Sequence, residues 1–114
     1  MGEYLGQKIA TVYDMLDVVR ERPAMWIGNA EVERLHVWIQ GFRMGTRIAG
    51  DPVTGGEPDF DEFHDWVAAR LGVASSGKGW ARMLLESAGG DQERAFEEFW
   101  HELDAFRASR AVVH

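Results

Sequence analysis

The sequence predicts an all-α protein, a compact bundle of about five helices forming one domain over residues 1–114. Three observations carry that expectation. Apolar residues recur at helical spacing in five separate segments, capping residues, glycines or a proline punctuate the chain between them, and no segment sustains the alternation of a half-buried strand. At 114 residues with 46% hydrophobic and 27% charged side chains, the chain is long enough for one core and too short for two. Five Trp and six Phe raise the area that so short a chain buries.

Thr11 caps the first helix, in which Val12, Met15, Leu16 and Val19 recur on one face, and Pro23 stops it after Arg20, Glu21 and Arg22. Met25, Trp26, Ile27 and Gly28 read as an apolar connection, with Gly28 turning the chain and Asn29 as the next cap. The second helix runs from about Glu31 to Ile48 with an inward stripe of Leu35, Trp38, Ile39, Phe42 and Thr46; Val37 and Met44 fall on its outer face. Gly41 and Gly45, four apart, lower helix propensity and therefore predict close approach of another element. Gly50 to Pro58 reads as an exposed loop.

The third helix spans about Asp59 to Leu71, turning Phe60, Phe63, Val67 and Leu71 inward with Trp66 at the edge, before Gly72 ends it. A cluster of Ser75, Ser76 and Gly77 leads to a short fourth helix, whose Trp80, Met83, Leu84 and Ala88 face inward and which Gly89 and Gly90 break. Asp91 caps the fifth and most regular helix, the central strut, where Phe96, Phe99, Leu103 and Phe106 repeat in steps of three, four and three. Its opposite face carries Glu93, Glu97, His101 and Asp104, with Glu98 and Glu102 nearer the edge, an acidic exposed surface. Ile9 to Tyr13 and Ala111 to Val113 are too short to separate strand from helix, and the tail from Ala108 has no stop signal.

The formal charge of −7, from 19 acidic against 12 basic residues, disfavours nucleic acid and anionic membranes and favours a basic protein partner. The absence of Cys excludes disulfides, thiolate catalysis and cysteine metal sites and fits the cytoplasm. No apolar run approaches a membrane span, Met1 to Ala10 lacks the profile of a secretion signal, and Gly6 stands where a myristoylation motif needs Ser or Thr.

Several motifs approach chemistry and stop short. Gly72 to Gly79 nearly spells a phosphate-binding loop, but Gly79 replaces the hydroxyl that holds magnesium and a helix precedes the run where a buried strand is required. His101 and Glu102 open a zinc-protease pattern whose second His is Ala105. His36, His64, His101 and His114, with Asp65, are expected as solvated side chains, so no metal and no cofactor is predicted. The paired carboxylates line polar helix faces, and Ser75 and Ser76 lack a nearby His, so no catalytic residue is assigned. Trp38 and Trp80 fall on core stripes; Trp26, Trp66 and Trp100 are expected to be partly exposed.

Leu16-Asp17-Val18-Val19-Arg20-Glu21-Arg22-Pro23-Ala24-Met25-Trp26-Ile27-Gly28 resembles the opening helix of the ATPase subunit of type II topoisomerases, in this stretch alone. The acidic base, magnesium-binding Asn and adenine-binding motif of that family have no counterpart here, so no nucleotide site is carried over. A broader pattern combines Arg22 to Gly28, Leu35 with Trp38 to Phe42, Phe60 with Phe63, Trp66-Val67, Gly79-Trp80 and Ala95 to Phe99. It resembles small bacterial helical proteins, some of them similar to immunity proteins of toxin systems. That resemblance implies a non-enzymatic protein that binds and blocks a toxin.

The expectation is therefore a binding protein that captures a basic toxin, such as a nuclease, through Glu93, Glu97, Glu98, Trp100, His101 and Asp104. Two rivals stand beside it: a metal-dependent hydrolase built on His64, His101 and nearby acids, and a homo-oligomeric structural or regulatory protein that self-associates. Burial discriminates among them. A convergent polar cleft favours the enzyme, a convex acidic face favours toxin capture, and a bare apolar patch at Val37, Met44 and Trp26 favours self-association.

Overall fold

Six α-helices and a short amino-terminal hairpin make up the computed structural model, which describes residues 2–4, 7–49, 57–73 and 78–110. The all-α bundle expected from the sequence is what is observed. Strands β1 (Gly2–Tyr4) and β2 (Gln7–Ile9) pair antiparallel in the register Gly2 to Ile9, and β2 leads directly into the first helix. Three-residue strands are too short to leave a period-two signal, so the periodicity of the sequence does not predict the hairpin.

Helix α1 (Val12–Glu21) begins at a complete capping box: the Thr11 hydroxyl accepts from the Asp14 amide, and the Asp14 carboxylate accepts from the Thr11 amide. Met15, Leu16, Val18 and Val19 are buried along it, together with Tyr13. The expected connection after Pro23 is itself a helix, α2 (Pro23–Ile27): a proline at the first position has no amide to satisfy and starts the turn that it was expected only to end. Gly28 closes it at a positive φ of 85°, as only glycine does without strain.

Helix α3 (Val32–Ala49) starts one residue later than expected, and Asn29 does not cap it. The first i to i+4 bond runs from the Leu35 amide to the Glu31 carbonyl, while the Glu31 carboxylate turns to Arg34 Nε at 2.7 Å. A 3-10 turn, Phe60–Glu62, precedes α4 (Phe63–Leu71), which Gly72 ends in the left-handed conformation. Helix α5 spans Trp80–Ser87, and α6 (Gln92–Arg110) begins where the Asp91 carboxylate accepts from the Arg94 amide. The cluster Ser75 to Gly77, residues 50–56 of the expected loop, and the tail 111–114 with its His114 lie outside the described residues.

The core is aromatic and centred on Phe63. Its ring meets those of Phe60, Trp80, Phe99 and Phe106 at centroid distances of 5.3 to 5.5 Å. Helix α6 packs against α3, α4 and α5 and contributes the inward stripe Phe96, Phe99, Leu103 and Phe106. Four arginines roof the rim of this core, each laid over an aromatic ring and held by a carboxylate. Arg20 covers Trp100 and binds Asp104, Arg43 covers Phe60 and binds Asp61, Arg70 covers Trp66 and binds Glu102, and Arg107 covers Tyr13 and binds Glu57.

The Gly50 to Pro58 stretch is not exposed at its carboxyl end. Pro58 is buried with its carbonyl accepting from the Tyr13 hydroxyl, and Glu57 is half-buried against Arg107. Burial, first, and the neighbouring Glu57 carboxylate hold the Tyr13 phenol well above its ordinary range, so it remains a hydrogen-bond donor throughout the physiological range.

Candidate functional site

Two of the acids expected on the exposed face of α6, Asp104 and Glu102, are neutralised from within the chain. Asp104 receives a two-pronged hydrogen bond from Arg20 at 2.7 and 2.8 Å, which holds its carboxyl below the usual carboxylate range. Glu102 is only 6% exposed and accepts from Arg70 at 2.8 Å, so it is a structural carboxylate and not part of a solvated edge. Trp100, expected as a partly exposed anchor, is 7% exposed, with its ring packed edge-on against Phe96 and Phe99. Glu93, Glu97, Glu98 and His101 are exposed as expected. Glu93 and Glu97 border a recess of about 450 Å³ beside Phe96, Trp100 and Arg20, whereas Glu98 lies by a smaller one with Arg70, Arg94 and Glu102.

The described histidines, His36, His64 and His101, do not assemble a centre. His36 sits edge-on to Trp80 at 5.1 Å, and burial lowers its pKa below the ordinary 6.5. His64 and Asp65 are on α4 and His101 on α6, and among the described residues no three His, Asp or Glu side chains converge as a metal site would require.

The feature that departs most from a solvated helical surface lies on α3. Two apolar stripes run along this helix on opposite sides. Val32, Leu35, Ile39 and Thr46 are buried in the core, with Phe42 partly so. Since successive residues turn by about 100°, Val37, Gly41, Met44 and Ile48 point the other way, and Val37 is 66%, Met44 60% and Ile48 82% exposed. A helix apolar on both sides is expected to be covered on both. Among the described residues no atom lies within 4 Å of a side chain begun at Gly41 or Gly45, so the close approach predicted from these glycines is not made within this fold.

Beside the outward stripe runs a groove of about 820 Å³ between α2 and α3. Trp26, Ile27, Trp38 and Phe42 form its apolar wall, Val37 and Gly41 its outer lip, and Glu33 and Arg34 its polar end. Trp38 is therefore not a core residue: it is 37% exposed, tilts against Trp26 at 6.1 Å, and donates its Nε1–H toward Met15 Sδ at 3.1 Å. Of the tryptophans expected to be partly exposed, Trp26 and Trp66 are so, and Trp26 lines this groove.

Charges frame the helix unevenly. Glu33 lies near its amino end, bound by Arg82 at 3.1 Å and by Gln92, and Arg47 lies near its carboxyl end, with Asp61 at 4.0 Å. Both fall on the same flank of the outward stripe. Comparison with family models, curated proteins and solved structures finds no match.

Proposed function

We propose that this chain is a protein-binding module whose docking surface is the outward apolar face of α3 with the adjoining α2 groove. The observation that carries the reading is that α3 has two apolar faces and the core covers one of them. An exposed run of Val37, Met44 and Ile48 beside an aromatic-walled groove offers the apolar centre, and Glu33, Arg34 and Arg47 the polar rim, of a protein interface. The groove holds few groups that titrate or attack, which suits capture better than chemistry.

The immunity-like resemblance suggests a second reading, in which a basic toxin is bound on α6. Glu93 and Glu97 beside the Trp100 recess favour it, because two carboxylates near an aromatic ring suit a Lys or Arg side chain. A photo-crosslinking residue tests both. Placed at Val37 or Met44 in the native cell, it is expected to yield a protein adduct, and placed at Glu97 it is expected to yield none. Adducts at Glu97 alone would replace the first reading with the second.

A further inference from the structure

We propose that the outward face of α3 is closed by a second copy of this chain, the two α3 helices packing antiparallel about a twofold axis beside Gln40 and Gly41. The inference rests on the docking-face reading above and names its occupant.

Three features of α3 fit this partner. Val37, Gly41, Met44 and Ile48 follow in alternating steps of four, three and four, the pattern that keeps a short seam facing another helix. The seam is self-complementary: Gly41, open to solvent, sits between the protruding Val37 and Met44, so the antiparallel mate brings Met44 to the level of Val37 and the two glycines together. Charge then selects the direction. Glu33 and Arg47 are each seven residues from Gln40 and share a flank, so antiparallel pairing sets the Glu33 of each copy beside Arg47 of the other. Parallel pairing sets each of these charges level with its own kind and aligns the helix dipoles unfavourably. The side chains of Glu33 and Arg47 are 44% and 57% exposed; Glu33 keeps its bonds to Arg82 and Gln92, and Arg47, whose nearest described carboxylate is only at 4.0 Å, is the charge with more to gain from the mate.

One helix pair gives an interface at the small end of specific ones, so the dimer is expected to form in the micromolar range. Sedimentation of the purified chain from about 1 to about 500 μM spans that range. The mass is expected to rise toward twice 12.9 kDa, and the V37K/M44K variant, with the same circular dichroism, is expected to stay at 12.9 kDa. Because the chain has no Cys, single cysteines report the geometry cleanly. Gly41→Cys, where a side chain meets nothing among the described residues, is expected to give a disulfide-linked pair on mild oxidation. Ile48→Cys is expected to give none, since its two copies lie about 22 Å apart along antiparallel axes.

A wild type that stays monomeric, a variant that dimerises equally well, or linkage through Ile48→Cys in place of Gly41→Cys overturns the proposal. A crosslink from Val37 or Met44 to a different protein, with the purified chain monomeric, overturns the second copy alone and leaves the docking face standing. No adduct from either position overturns both.

Discussion

Leu35 and Val37 are two residues apart on one helix, and truncating each to alanine is expected to have opposite consequences. Leu35 is fully buried against the aromatic core. Leu35→Ala loses transfer free energy and leaves a cavity, at about 2–5 kcal/mol, a large share of the roughly 5–15 kcal/mol by which a domain of this size is stable. With a urea m value of about 1.5 kcal/mol per molar, a central loss of about 3 kcal/mol lowers the unfolding midpoint by about 2 M. Val37 is 66% exposed on the opposite side. Val37→Ala removes little buried surface and gains up to about 0.5 kcal/mol of helix propensity, so its midpoint holds or rises by about 0.3 M. Urea titrations followed by circular dichroism, at a dilution where the chain is monomeric, make the comparison. A Val37→Ala loss above about 1.5 kcal/mol, or a Leu35→Ala loss below that figure, would refute the assignment of inner and outer faces.

Three further outcomes follow from the rim of the core. Tyr13→Phe leaves the buried Pro58 carbonyl without its donor and is expected to cost about 1–3 kcal/mol in the same titration. His36 has a folded pKa below the ordinary 6.5, so the unfolded chain takes up its proton first. Its contribution to stability is complete above 6.5 and is lost as pH falls from there toward the folded value; His36→Gln is expected to flatten that part of the stability–pH curve. Arg70 and Glu102 form an asymmetric pair, the carboxylate buried and the guanidinium half-exposed. Arg70→Met strands the buried charge and is expected to lower the melting temperature more than Glu102→Gln, which leaves an exposed cation that water solvates.

Local signals made the bundle legible in the sequence. Thr11 and Asp91 cap their helices, Gly28 and Gly72 turn the chain, and the stripes of α1, α5 and α6 are buried as their spacing predicts, except that Val12 is only partly so. The periodicity of α3 was harder to read because apolar residues occupy both sides, and a stripe does not reveal which side faces inward. The spacing places Trp38 inside on that ground, whereas in the structure Val32 fills the core and Trp38 lines the groove. Position along the chain also conceals who neutralises whom. Arg20 and Asp104 are 84 residues apart and Arg70 and Glu102 are 32 apart, so the acids of α6 looked solvent-facing when two of them belong to arginines of other helices. The spacing puts Val37 and Met44 together on the outer face, whereas Ile48, their most exposed neighbour, stands in the sequence only as the helix end.

The most direct test of the two-faced α3 is hydroxyl-radical footprinting of the methionines, read by mass spectrometry over a dilution series of the purified chain. Met15 and Met83 are buried and serve as protected references, and Met25 is an exposed one. Met44 is predicted to oxidise as readily as Met25 at high dilution and to become protected as concentration rises, while Met15 and Met83 stay protected throughout. Protection of Met44 equal to that of Met83 even at the highest dilution would mean that the chain covers this face itself, and would contradict the account.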